Sequence, residues 1–227
     1  MMQGLMEFWS ASDAIGRTTA ALLFLMSIGS WFLIGWKSWV LKRASADLVR
    51  GLAGFWSAPN VTQARERLQQ IDREQIILPL LTAADAKTAL GTLAASSQPE
   101  SQLTRRIRDA LHRSVAHLQW GQVVLASVAS TAPFIGLFGT VWGIYHALVS
   151  LSAEGVASID KVSGPVGEAL IMTAAGLAVA IPAALAFNLF NKWINAAEAE
   201  LEGFAHDLRE WQTQGSFHKT NLDGDSA

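Results

Sequence analysis

The sequence predicts an all-α, polytopic membrane protein with three transmembrane helices and long helices extending into the cytoplasm. Three observations lead there. The mean hydropathy is +0.27, and only 16% of residues are charged, against about 25% in an ordinary soluble domain. Three runs carry no Lys, Arg, Asp or Glu at all: 19 residues between Arg17 and Lys37, 40 between Arg113 and Glu154, and 23 between Glu168 and Lys192. A helix needs about 20 apolar residues to cross a hydrocarbon core of roughly 30 Å, so each run is long enough for one pass. Finally, the segment between the first two runs is polar but apolar-periodic, as expected of helices outside the bilayer.

Residues 1–17 contain Glu7 and Asp13 and end in the segment's one cation, Arg17. They lack the positive region of a signal peptide, and no small-residue cleavage site follows the first apolar run. We therefore expect this segment to be periplasmic and the run after it to be retained. The first span is expected at 18–40. Trp31, Trp36 and Trp39 gather toward its end beside Lys37, Lys42 and Arg43, which marks that end as a membrane interface on the cytoplasmic side.

The cytoplasmic helical loop, 41–119, follows. From Lys37 to His117 there are 12 Lys or Arg and 7 Asp or Glu. Pro59, Pro79 and Pro99 divide it into helical pieces. Asn60 caps one piece ending near Ile71. Leu103, Ile107, Leu111 and Leu118 recur at helical spacing in another, and this helix is expected to run unbroken into the second span region, 120–151. The connection 152–167 holds one cation in sixteen residues, Lys161, and is read as periplasmic. The third span is expected at 168–190. A cytoplasmic C-terminal helix and disordered tail occupy 191–227. The helix carries Ile194, Ala197, Leu201, Phe204, Leu208 and Trp211 on one seam, and disorder is expected from Gly215. The N-terminus is thus periplasmic and the C-terminus cytoplasmic.

Glu168 is the sharpest feature, because it opens a 23-residue uncharged run. An acidic residue in a span faces a bundle interior or polar cavity and marks an ion pathway, with a pKa raised by burial. An interfacial first-turn residue favoured by the helix dipole is the other reading. Thr140 and Thr173 are the next polar candidates, though each hydroxyl has its own i−4 carbonyl to bond. Thr173 lies about 7.5 Å along the helix and roughly 140° round it from Glu168, so the two do not share a face. Gly176 and Ala180 belong to a small-residue stripe on the third span, and Gly136, Gly139 and Gly143 punctuate the second. Such residues let membrane helices approach closely. Pro133 and Pro182 each remove a backbone donor and are expected to bend their helices.

The chain has no Cys, so thiolate metal sites and thiol catalysis are excluded. No nucleotide loop, nucleophile–base arrangement or metal cluster is present, and no enzyme, no metal and no cofactor is expected. No basic tract suggests nucleic acid. Three spans enclose little of a pathway, so a polar inner face implies a homo-oligomer in the lipid bilayer.

The stretch TAPFIGLFGTVWGIYHAL at 131–148, followed by GPVGEALIMTAAGLAVAIPAALAFN at 164–188, resembles the ExbB/TolQ/MotA group of proton-channel subunits. What the resemblance implies is a homopentamer of three-span subunits in the bacterial inner membrane around an ExbD-like single-span partner carrying a membrane aspartate, coupled to a TonB-like transducer. By the same resemblance Glu168 is the group's membrane glutamate, and Thr140 and Thr173 are its lumen-facing threonines, together forming a proton pathway. The text around Asp160, Lys161 and Val162 and at 164–167 is more similar to the ExbB-like branch, which energises import of iron complexes such as siderophores by the proton motive force. The alternatives are a TolQ-like subunit of the Tol-Pal envelope system, or a non-conducting scaffold for a partner helix.

Overall fold

A computed structural model describes residues 13–86, 98–154 and 159–224. Among these residues the fold is all-α, with three helices long and apolar enough to cross a membrane. In chain order the helices are α1 (Ala14–Trp56), α2 (Val61–Ile71), α3 (Leu78–Asp85), α4 (Pro99–Gln119), α5 (Gln122–Glu154) and α6 (Ile159–Gly224). The chain divides into two compact units. One comprises residues 1–37 and 121–189; the other comprises 38–120 and 190–227.

The first unit contains the first part of α1, all of α5 and the first part of α6. Asp13 caps α1: its Oδ1 accepts from the Gly16 amide at 2.8 Å, satisfying a backbone donor that the first turn otherwise leaves bare. Small residues let α5 and α6 approach almost backbone to backbone. A Cβ placed on Gly136 would lie 2.5 Å from the Met172 carbonyl oxygen, and one on Gly176 would lie 2.6 Å from that of Ala132. Pro133 and Pro182 both sit inside helices that continue through them. The outward faces are strongly apolar: Phe24, Phe32, Phe134 and Leu185 are each at least 65% exposed. A surface of that kind suits hydrocarbon rather than water.

The second unit is a water-type core. Leu68, Ile76, Ile77, Leu80, Leu81, Leu201 and Leu208 are fully buried, and Phe55 meets Phe204 edge-on with ring centroids 5.1 Å apart. The Asn60 side chain accepts from the Gln63 amide at 2.9 Å and caps α2. The turn before α3 is organised by the buried Asp72. Its carboxylate accepts from the amides of Ile76, Ile77 and Leu78 at 2.9, 2.8 and 2.7 Å, while Gln75 takes a left-handed φ of 52°. Asp47, also buried, is gripped by Arg73 through Nε at 2.9 Å and Nη2 at 2.8 Å and by Arg50 at 2.9 Å. Burial pushes the Asp47 carboxyl up, but the Arg73 hydrogen bonds and the two guanidinium charges outweigh it and hold it below its ordinary value. Arg43 bonds Glu74 and lies over the Trp39 ring, 4.2 Å from its centroid.

Several boundaries differ from the sequence expectation. The helix through Leu118 does not run unbroken into the next span: it ends at Gln119, and α5 begins at Gln122. Gly121 has φ +82° there, a conformation that glycine adopts without steric cost and that stops a helix. The segment read as a connection at 152–167 is largely helical, since α5 reaches Glu154 and α6 starts at Ile159 with Pro165 inside it. At the far end the apolar seam stops at Trp211, and α6 continues to Gly224. Extending an established helix costs far less than nucleating one. Residues 1–12, 87–97, 155–158 and 225–227 lie outside the described residues, and most of the expected N-terminal segment falls there.

Candidate functional site

Every residue singled out from the sequence for the pathway or for helix packing lies on α5 or α6 within the first unit. Thr140 comes from α5 and is 6% exposed; Thr173 comes from α6 and is half-buried. Their hydroxyls hydrogen-bond to each other. Thr140 Oγ1 is also within reach of two backbone carbonyls, Gly136 O at 3.1 Å on its own helix and Ala169 O at 3.0 Å on α6. One hydroxyl carries one proton, so Thr140 donates to one acceptor at a time while its lone pairs accept from Thr173. The pair is a small hydrogen-bond exchange: its donors can be redirected without any group ionising.

The glycines make that meeting possible. Gly143 lies against Ala169, whose Cβ would be 2.8 Å from an added methyl. Gly139 faces Met172 and the Thr19 methyl, with an added Cβ 3.0 Å from Met172 Cε and 3.2 Å from Thr19 Cγ2, so α1, α5 and α6 converge at this level. Gly136 and Gly176 form the closest backbone approach, and Ala180 is buried at 5% exposure on the same stripe. The stripe therefore packs against a helix of its own chain.

Glu168 immediately precedes the buried Ala169 and is itself half-buried. Among the described residues its carboxylate makes no hydrogen bond or ion pair. It is not hydrogen-bonded to either threonine: Thr173 lies about 140° round α6 from it, and the Thr140 hydroxyl is directed to Thr173 and to the Gly136 and Ala169 carbonyls. Its neighbour Ala169 links it to them through the carbonyl that Thr140 approaches.

Sequence reading missed two residues near this site. Asp13 Oδ2 accepts from the Trp142 indole Nε1 at 2.5 Å, tying the start of α1 to α5. Burial pushes the Asp13 carboxyl up, but the bonds from Trp142 and the Gly16 amide, with the nearby His146, bring it below its ordinary value. Asp13 could have been recognised as a helix cap from its place before the apolar run. Nothing in the sequence pairs it with a tryptophan 129 positions away. No group of three or more potential metal ligands occurs among the described residues.

Compared with known proteins, residues 72–203 match the MotA/TolQ/ExbB proton channel family. Biopolymer transport protein ExbB of Xanthomonas campestris pv. campestris is 41% identical over 89% of this chain and 83% of its own length. The protein of the same description from Neisseria meningitidis is 37% identical, over 88% of this chain and 93% of its own. Tol-Pal system protein TolQ of Haemophilus influenzae is 31% identical, over 89% and 91% respectively.

Proposed function

The chain belongs to the MotA/TolQ/ExbB proton channel family, a family of channel proteins rather than enzymes, and from that premise we propose that it is the ExbB-like proton-channel subunit of an inner-membrane energy-transducing complex. Its work is to use the proton motive force to energise TonB-dependent import of iron complexes and similar nutrients across the outer membrane. The observation that carries the reading is Glu168, a half-buried residue at the head of an uncharged run, on the helix pair that joins Thr140 to Thr173.

In this reading the protein is a homopentamer with a periplasmic N-terminus and a cytoplasmic C-terminus, and an ExbD-like single-span helix with an aspartate occupies its axis. Glu168 relays protons to that aspartate, or gates them by its charge. Thr140 and Thr173 do not ionise; by turning their hydroxyls they offer a donor or an acceptor to water or to the partner carboxyl. The greater identity to ExbB of Xanthomonas campestris and Neisseria meningitidis than to TolQ of Haemophilus influenzae favours the TonB-linked role over a Tol-Pal role in this reading.

The test is Glu168→Gln in the assembled complex. Energy-dependent uptake of iron complexes should be lost while oligomer assembly and partner co-purification persist, and a carboxyl signal should vanish from the infrared pH-difference spectrum. Uptake that persists with no carboxyl signal lost between about pH 4 and pH 9 would make Glu168 structural and the protein a scaffold. A TolR/TolA-type set of co-purifying partners would assign it to the Tol-Pal system instead.

A further inference from the structure

The two residues that sequence reading missed are joined by a bond whose geometry suggests a task. We propose that Asp13 is a positioning residue for the α5–α6 site: its carboxylate anchors the Trp142 indole, sets the register of α5 against α1, and thereby holds Glu168 and the threonine pair in place. The inference rests on the proposed role of that site.

Trp142 stands directly before Gly143, the residue against which Ala169 packs. Ala169 is adjacent to Glu168 in sequence, and its carbonyl lies 3.0 Å from Thr140 Oγ1. A shift of Trp142 along α5 is therefore a shift of the surface on which Glu168 and Thr140 are set. One turn further along, Gly139 meets Thr19 and Met172, so α1 touches α5 at two successive levels. The inner contact, Thr19 against Gly139, is a methyl on a flat surface. It resists close approach but does not prevent sliding. The outer contact is directional: Nε1 of Trp142 to Oδ2 of Asp13 at 2.5 Å.

Direction matters here because apolar helices gain little from one another in lipid. The surrounding tails are as apolar as the side chains, so register has to come from packing shape and polar bonds. Asp13 is well made for this. Its other oxygen is committed to the Gly16 amide at 2.8 Å, which fixes the carboxylate to the end of α1 and leaves Oδ2 aimed at α5. Within α5 the indole also neighbours the rings of Tyr145 and His146, one turn on, with centroids 5.8 and 6.1 Å away. The carboxylate is a charged acceptor, and bonds to charged groups are about twice as strong as neutral ones.

The experiment labels the full-length protein in nanodiscs with 5-fluorotryptophan and records fluorine NMR spectra, with Trp142→Phe identifying the Trp142 resonance. Asp13→Ala should move that resonance, and Asp13→Asn should move it less, because the amide oxygen still accepts one of the two bonds. Transport should fall several-fold in Asp13→Ala at unchanged membrane level and recover substantially in Asp13→Asn. Because the chain has no Cys, Asp13→Cys with Trp142→Cys provides a rescue. Joining the two thiols with a short bis-methanethiosulfonate spacer should restore transport that the unlinked double variant lacks. A Trp142 resonance indifferent to Asp13→Ala would remove the anchor, whatever Glu168 does. A resonance that moves while transport stays at the wild-type level, or a link that forms without rescue, would remove the positioning role. Failure of the Glu168→Gln test with a responsive resonance would instead leave the anchor standing and overturn the proton-handling reading.

Discussion

The hydroxyl of Thr173 on α6 meets the hydroxyl of Thr140 on α5, and the latter is also 3.0 Å from the Ala169 carbonyl of the facing helix. The two residues are 33 positions apart in the chain, and both lie on helices whose closest approach is lined by glycine. A polar link has thus been built about one turn from the Gly136–Gly176 approach, where a change in either hydroxyl is felt by both helices.

That link predicts non-additive substitutions. Thr140→Val and Thr173→Val each should cost about 1 kcal/mol of thermal stability in detergent, the usual net worth of one hydrogen bond. The double variant should cost less than the sum, by about 0.5–1.5 kcal/mol, because each single change already removes the shared bond. Additive effects within 0.3 kcal/mol would mean that the hydroxyls do not interact. In transport assays Thr173→Ser, which keeps the hydroxyl, should be milder than Thr173→Val.

Glycine substitutions should divide sharply by location. Gly176→Ala sets a methyl 2.6 Å from the Ala132 carbonyl and 3.1 Å from Gly136 Cα, where only backbone could move, so the α5–α6 pair must separate. Stability and membrane yield should drop. Gly29→Ala meets nothing within 4 Å and should be neutral or improved, since alanine favours a helix by about 1 kcal/mol over glycine. The melting temperatures of the two variants in the same detergent provide the comparison, and equal values would place Gly176 away from α5.

Acid should weaken the second unit through Asp47. A carboxylate held below its ordinary pKa in the fold contributes stability that is fully present above the unfolded-state value, about 3.9. That contribution is lost as pH falls through the lower folded value. Asp47→Asn keeps the shape but removes the charge that Arg73 and Arg50 grip. It should cost about 1.5–3 kcal/mol at pH 7, the range for hydrogen bonds to charged groups. The variant should also lose part of the wild type's decline in melting temperature between about pH 5 and pH 3. Identical pH profiles for the two proteins would remove Asp47 as a source of acid sensitivity.

Much of this protein was determined by its sequence alone, and the reason lies in the solvent. A hydrocarbon core admits few charges and demands helices of one length, so the gaps after Arg17, Arg113 and Glu168 reveal three membrane-length helices without any pairing information. Periodicity did the same for the seam of α6, where Ile194, Leu201, Phe204 and Leu208 are all buried as their spacing required. Asn60 and Pro99 marked helix starts because caps and N-terminal prolines act locally. Tertiary structure decided what depends on partners distant in the chain. Which face of the glycine stripe meets which helix, and that it meets one of its own chain, follows from the Gly136–Gly176 approach. The choice between a self-bonded Thr140 and one shared with α6 was open from sequence, and the structure has both contacts. The break at Gly121 needed a positive φ that no local rule required. Asp13 and Trp142 found each other for the same reason: a hydrogen bond has direction and short range, and only a folded chain brings its two ends together.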